Sequence, residues 1–513
     1  MKPSEDIFHL IKSLTTAEKR HFKLHCSKYI IESDNKYLLL FDAIDKQEIY
    51  NEEKIKKDCK SIKHLSVEKN RLYAFILKSL KELRSEFSAE DQLREQLKSI
   101  NELYNNGLYQ QCLKPLAKSK KIAYENECFI LLLDIVDWER RLAYIQKINL
   151  KVVLNNAVNE TQVLLEKIQN IVAYKKIRDE IYSVLMDSGA VRNDQSLRHV
   201  KKIIEHPLMK SESMAISITS LILYNYIYIL FYRMLGETEK EYEYSKRGLE
   251  LTEKEKWLIP KNFTSYINIL GNHANAYLEN KKYTEADKFI EKLKRIEEDF
   301  KISLSLSVQS NAYNIICSIQ LYSYIKQGKF SEGMPLVEDI KKRLNNNSII
   351  IEERESIFIY MNIAVLCFGS EKYNESLKWI NKIKNSYLSQ LSNEFLSSLL
   401  ILELLVHYEL NNVETLPYYI RSTNRILNKK NVLHQFEKEL LKFMTHLNRV
   451  GSADQRIKLF RKFKSDLLSI KADDFQANAI KTSDLFSWID SKIENRSLED
   501  IVKEKAKKIS IIK

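Results

Sequence analysis

Residues 263–296 read FTSYINILGNHANAYLENKKYTEADKFIEKLKRI, and the fold follows from this stretch. Apolar side chains recur at helical spacing on both sides of Asn280-Lys281-Lys282, which predicts two helices joined by a tight polar turn. Ala274 and Ala286 are small where the two helices must approach closely, and Leu270, Tyr277, Tyr283, Ile290 and Leu293 supply the bulk around them. Such a hairpin cannot bury its whole apolar stripe against itself. It therefore calls for similar hairpins stacked on either side.

The chain supplies candidates. GLYQQCLKPLAKS from Gly107, GKFSEGMPLVEDI from Gly328 and EKYNESLKWINKI from Glu371 echo the second helix. Tyr109, Phe330 and Tyr373 take the place of Tyr283, while Cys112, Gly333 and Ser376 take that of Ala286. Turn-like breaks near Gly107, Asn149, Asn193, Gly236, Asn280, Gly328, Ser370 and Asn412 are separated by 42, 44, 43, 44, 48, 42 and 42 residues. About eight hairpins are expected. Pro115, Pro335 and Pro417 fall several residues into expected second helices, so those helices either bend or begin later.

The small-x-x-Tyr spacing at Ala274 and Tyr277, with Tyr-x-x-Ala at Tyr283 and Ala286, resembles the tetratricopeptide repeat, a helix-turn-helix scaffold that binds peptides or proteins. Leu270 stands where that family commonly has Trp and Lys281 where it favours Gly, and the interval exceeds its usual length of about 34 residues. HEAT-type solenoids have longer units but lack the Tyr-x-x-small signature. The resemblance implies an all-α protein: a right-handed α-solenoid of about eight tetratricopeptide-like hairpins over residues 91–433. A helical N-terminal domain at 1–90 and a helical C-terminal cap at 434–513 would flank it. It also implies a non-catalytic protein- or peptide-binding scaffold, whose concave face is lined by first helices. The implied groove positions are Tyr226, Leu230 and Arg233, then Asn268, Gly271, Asn275 and Leu278, then Ser318 and Tyr322, then Met361 and Asn362. Tyr226, Arg233, Asn268, Asn275, Tyr322 and Asn362 carry the polar groups suited to a bound main chain. With Gly271 where tetratricopeptide domains place a carboxylate-clamping Lys, a terminal carboxylate is not the expected ligand.

Composition agrees with helices. Nine Gly and six Pro in 513 residues leave little material for tight strand turns. The net charge of +13, from 82 basic and 69 acidic residues, is spread too thinly for a nucleic-acid footprint. Six scattered cysteines without C-x-x-C pairs and an N-terminus without an apolar signal core suggest a cytoplasmic location. Residues 213–232, SMAISITSLILYNYIYILFY, are uncharged and long enough to span a bilayer. Their Ser, Thr, Asn and Tyr content, and their place in the repeat register, fit a buried helix instead, with no membrane partner.

Within residues 1–90, Thr15 with Glu18 forms a capping box, and Asn35, Asn51 and Ser66 are expected to open further helices. The helices from Asn51 and from Ser66 resemble in outline a DNA-reading helix-turn-helix, with Glu68, Lys69, Arg71 and Tyr73 on the reading helix. Some bacterial quorum-sensing receptors join such a motif to a tetratricopeptide domain, which makes a transcriptional regulator with a repeat sensor domain the alternative function, with nucleic acid as its partner. Toward the C-terminus, Ser483 is expected to cap the helix carrying Phe486, Trp488, Ile489 and Ile493, and Ser497 with Asp500 forms another capping box. No phosphate-binding loop, nucleophile elbow or zinc-protease motif occurs, and no cofactor is expected. His21, His25 and Cys26 share one helix but lack a fourth ligand for a metal.

Overall fold

With so few helix breakers, long helical runs are the expected outcome. The computed structural model describes residues 5–29, 36–85, 89–147, 149–302, 304–345, 353–470 and 484–511, and among these the chain is all-helical, without a strand. The expected caps Asn35 and Ser483 lie outside the described residues. The N-terminal helices are α1 (Asp6–Lys12), α2 (Thr16–Tyr29), α3 (Lys36–Asp45), α4 (Glu52–Asp58) and α5 (Leu65–Ser85). Then come α6 (Ala89–Asn105), α7 (Tyr109–Glu125), α8 (Phe129–Gln146), α9 (Leu150–Ser188) and α10 (Asp194–Ile204). The middle holds α11 (Ile218–Leu235), α12 (Thr238–Lys254), α13 (Leu258–Lys261), α14 (Phe263–Glu279), α15 (Tyr283–Lys294) and α16 (Ile296–Phe300). After it follow α17 (Leu306–Lys326), α18 (Met334–Asn345), α19 (Glu353–Gly369), α20 (Tyr373–Tyr387), α21 (Asn393–Glu409) and α22 (Leu416–Lys429). The chain ends with α23 (Gln435–Leu447), α24 (Ala453–Ile470), α25 (Leu485–Glu494) and α26 (Leu498–Ile511).

Two compact units result, one of residues 1–168, 256–263 and 296–309, the other of residues 169–255, 264–295 and 310–513. In the first, α1 to α5 enclose Phe22, Phe41, Leu40, Ile44, Leu72 and Ile76. Thr15 Oγ1 accepts from the Glu18 amide at 3.2 Å, and the Glu18 carboxylate accepts from the Thr15 amide at 2.9 Å, completing the expected box. Asn51 caps α4 as expected. Ser66, by contrast, lies inside α5, which begins one residue earlier.

In the second unit, hairpins form between α11 and α12, α19 and α20, and α21 and α22. The turns that follow α11, α14, α17, α19 and α21 share one geometry. Gly236, Lys281, Gly328, Glu371 and Asn411 each adopt a left-handed φ, between 55° and 70°. Each donates its amide to the carbonyl three residues back, and the next amide reaches five back, as in Lys281 to Leu278 and Lys282 to Tyr277. This double bond satisfies carbonyls that a helix end otherwise leaves open.

The packing explains the Tyr-x-x-small pattern. Ala274 and Ala286 are fully buried. At the matching places, Ser376 Oγ donates to the Ala364 carbonyl at 2.7 Å, and Cys112 Sγ to that of Ile100 at 3.7 Å. In both contacts the small residue lies twelve positions after its partner, the spacing that also separates Ala286 from Ala274, and small side chains admit the approach. The preceding aromatic residue reaches the following first helix. Tyr283 donates to the Lys326 carbonyl at 3.3 Å, and the Phe330 ring occupies the space a Cβ on Gly369 would need, 2.4 Å away.

The prolines divide. Pro335 and Pro417 sit at the second position of α18 and α22, which therefore begin later than the sequence pattern suggests, whereas Pro115 lies inside α7. The largest departure is α9, a single helix of 39 residues where the repeat interval calls for two helices with a connection between them. The uncharged stretch becomes α11, the one described helix long and apolar enough to cross a membrane. It buries Leu223, Tyr224, Ile227, Leu230 and Phe231 in a cluster shared with α9 and α10.

Candidate functional site

The first helices α11, α14, α17 and α19 are joined laterally by polar side chains. Arg233 donates to Glu241 Oε1 on α12 at 2.8 Å and to Asn272 Oδ1 on α14 at 3.3 Å. Asn311 on α17 donates to Asn268 at 3.2 Å. Glu279 accepts from the Tyr322 hydroxyl and, at 3.2 Å, from Lys326 Nζ. Asn362 on α19 donates to the Ser318 carbonyl at 3.4 Å. These five cross-links among α11, α14, α17 and α19 span 39 to 47 residues, a ladder at close to the turn-to-turn interval.

Met361 is half-buried against the core, and the other expected groove residues can also be placed. Arg233 and Asn268 meet α14 and α17 partners, Tyr322 meets Glu279, and Asn362 meets Ser318. Tyr226 is half-buried two turns before Arg233 on the same face of α11, near enough for its hydroxyl to act on the Arg233 charge. Asn275 is half-buried on α14. Leu230 and Leu278 are core residues. Gly271 is also buried, and a Cβ there would lie 2.6 Å from Ile315, so its role is close packing.

The two cations of this set are partly exposed. Arg233 keeps 33% and Lys326 29% of their side chains exposed. Yet burial is the largest influence on both. It works against each charge and is more than offset, by Glu241 for Arg233 and by Tyr322 and Glu279 for Lys326, so both cations are held above their ordinary ranges. Burial likewise pushes the Tyr322 hydroxyl upward. Asp484, exposed at the start of α25 and acted on by Lys326, is also pushed upward by burial. Glu279, Lys326, Asn272 and Asp484 were not anticipated; the opposite charges of Glu279 and Lys326 one interval apart are the signal that would have found two of them.

A second cluster ties distant segments of the same unit together. Arg192 pairs with Glu437 at 3.2 Å, with the carboxylate side chain 1% exposed. Ser397 donates to Glu437 at 3.0 Å, and the Ala190 amide to Glu394 at 2.6 Å. A cavity of about 100 Å³ lies among these groups, with His434 and Asn431 on its wall. Burial raises the Glu394 pKa, with the Ala190 amide and Arg192 acting the other way. A carboxylate whose folded pKa is raised contributes most below its unfolded value near 4.5, and that contribution is lost as pH rises through the folded value. Glu394→Gln keeps an acceptor for Ala190 without the charge. Amide exchange of residues 188–197 is therefore expected to be slower in this variant than in wild type at pH 8, and equal near pH 4. Faster exchange at pH 8 would show that the ionised form stabilises the contact.

The N-terminal candidates are engaged internally. Lys69, 6% exposed, donates to Tyr50 Oη and Glu52, both at 2.8 Å. Glu68 is buried and pairs with Lys36 and Arg71. His21 lies 3.1 Å from Ser79 Oγ, His25 stacks on Phe75, and burial pushes the Cys26 thiol up to about 12. Among the described residues no three His, Cys, Asp or Glu side chains come together as metal ligands. No protein-family model and no curated protein matches this chain.

Proposed function

We propose that the chain is a non-catalytic scaffold, a tetratricopeptide-like solenoid that binds an extended polypeptide along its first helices. The carrying observation is the partly exposed polar ladder across α11, α14, α17 and α19. Amide, hydroxyl and paired charged groups at a regular interval suit the main chain and side chains of an extended segment. The recurring left-handed turns and the small residues twelve positions apart favour the repeat reading. The regulator reading gains no such support, because Glu68 and Lys69 are spent inside the N-terminal unit rather than offered to a DNA groove.

A random-peptide display screen against the full-length protein, followed by calorimetry on the selected peptide, tests the proposal. Replacing Asn275 and Tyr322 with Ala is expected to weaken binding on the order of tenfold, the loss of about 1.4 kcal/mol, with circular dichroism unchanged. Equal affinity for wild type and variant would remove this surface from the account.

A further inference from the structure

The cavity among Arg192, Glu394 and Glu437 belongs wholly to the second unit and uses none of the residues of the first-helix ladder. Apart from Ala190 and Val432, every residue that lines it is polar. Asn193 and Asn431 are exposed at its edge, whereas Arg192, Ser397 and Glu437 are buried, so it leads from solvent down to charged groups. Those charges are unevenly matched. Arg192 pairs with Glu437 at 3.2 Å, while Glu394 has the Ala190 amide on one oxygen at 2.6 Å. The other oxygen of Glu394 and the side chains of Asn393, Asn431 and His434 make no hydrogen bond among the described residues.

These open groups specify an occupant. Since a cavity of about 150 Å³ holds a six-carbon ring, one of about 100 Å³ holds about four atoms heavier than hydrogen. An apolar molecule of that size finds no matching wall. The starts of α10, α21 and α23 border the cavity, which by itself favours an anion, but Glu394 and Glu437 already stand in the first turns of α21 and α23. A bound anion would face both carboxylates. His434 adds no opposing charge, because burial, with Arg192 beside it, lowers its pKa, and Lys438, which acts in the same sense, is exposed. Among the described residues no third His, Cys, Asp or Glu joins Glu394 and Glu437 to hold a metal ion. A primary ammonium group meets each condition. Its charge answers Glu394, and its three N–H donors suit the open carboxylate oxygen and the amide oxygens of Asn393 and Asn431.

We propose that this cavity binds the primary ammonium group of a small polar molecule, with Glu394 as its counter-ion. Calorimetry of the full-length protein with ethanolamine at pH 8 tests it. Wild type is expected to bind with a Kd of roughly 1 mM, close to the limit for so few atoms. Glu394→Gln keeps an acceptor for the Ala190 amide and removes the charge, so it is expected to weaken binding on the order of tenfold or more with circular dichroism unchanged. Asn431→Ala, at the exposed edge, is expected to weaken it several-fold. Ethylene glycol, of the same size without the charge, is expected not to bind. N-acetyl-lysine amide separates two sources of the same group: tighter binding than ethanolamine points to a polypeptide side chain and weaker binding to a free amine, and either supports the ammonium chemistry. No heat up to about 50 mM ethanolamine, a range wide enough for a weak ligand, overturns the proposal. So does an affinity unchanged by Glu394→Gln, equal binding of ethylene glycol, or displacement of ethanolamine by an equal concentration of potassium ions.

Discussion

Arg192→Ala is expected to release residues 190–204 from α21 and α23 at a cost of about 3–5 kcal/mol, the usual penalty for leaving a buried ion without its partner. Arg192 is 8% exposed, and both of its terminal nitrogens lie 3.2 Å from Glu437 Oε1. Without it, the Ser397 hydroxyl, at 3.0 Å, is what remains to the Glu437 carboxylate among the described residues. A chain of 513 residues in two units is not expected to unfold in one step. Local amide exchange is therefore the better measure, and it should accelerate on the order of a hundredfold to a thousandfold in this segment. Replacing Arg192 and Glu437 together by Met should recover most of the loss, because neither member of the pair is then left without its partner. If the single variant costs less than about 1 kcal/mol, the pair behaves as a surface ion pair and the segments are held by other contacts.

Gly328→Ala should be the more disruptive of two matched glycine substitutions. Gly107 and Gly328 both close a first helix with left-handed φ, 75° and 67°. An added Cβ costs each about 1–2 kcal/mol for that backbone conformation alone. At Gly107 the Cβ would meet nothing within 4 Å, whereas at Gly328 it would lie 2.5 Å from the Lys503 amide nitrogen. Backbone cannot step aside as a flexible side chain can, so α26 must move. That movement breaks the Ser331 to Glu499 hydrogen bond of 2.6 Å and the Lys503 to Glu332 pair of 3.3 Å. Limited proteolysis should then cut within residues 498–508 of the Gly328 variant, while the Gly107 variant resists as wild type does. Equal resistance would mean that α26 is not held on this turn.

The sequence exposes those parts of the fold that rest on local chemistry. Cys112 and Ser376 mark close helix approaches because their side chains reach the backbone of the preceding helix, and Gly236 and Gly328 mark turns because the backbone there is left-handed. Lys281, Glu371 and Asn411 take the same conformation without glycine, which is why their turns read only as polar breaks. The 39-residue α9 escapes the repeat interval for an equally local reason: no Gly or Pro occurs between Leu150 and Ser188 to end it. The polar positions on α11, α14, α17 and α19 were singled out by the resemblance to a repeat, which assigns positions along each helix. Their partners Glu279 and Lys326 were not, since a frame locates positions and not charges. Arg192, Glu394 and Glu437 were beyond reach altogether. Their contacts join residues 204 and 245 positions apart, and no short-range pattern encodes such a pairing.

Site-specific photocrosslinking in cells, with a benzophenone side chain placed at Asn275, at Tyr322 or at Lys246 on the exposed face of α12, addresses the scaffold proposal most directly. A discrete polypeptide adduct from Asn275 and Tyr322, absent from Lys246 and indifferent to nuclease, is the predicted result. Adducts of equal yield from Lys246, adducts lost on nuclease treatment, or none from the first helices would contradict it.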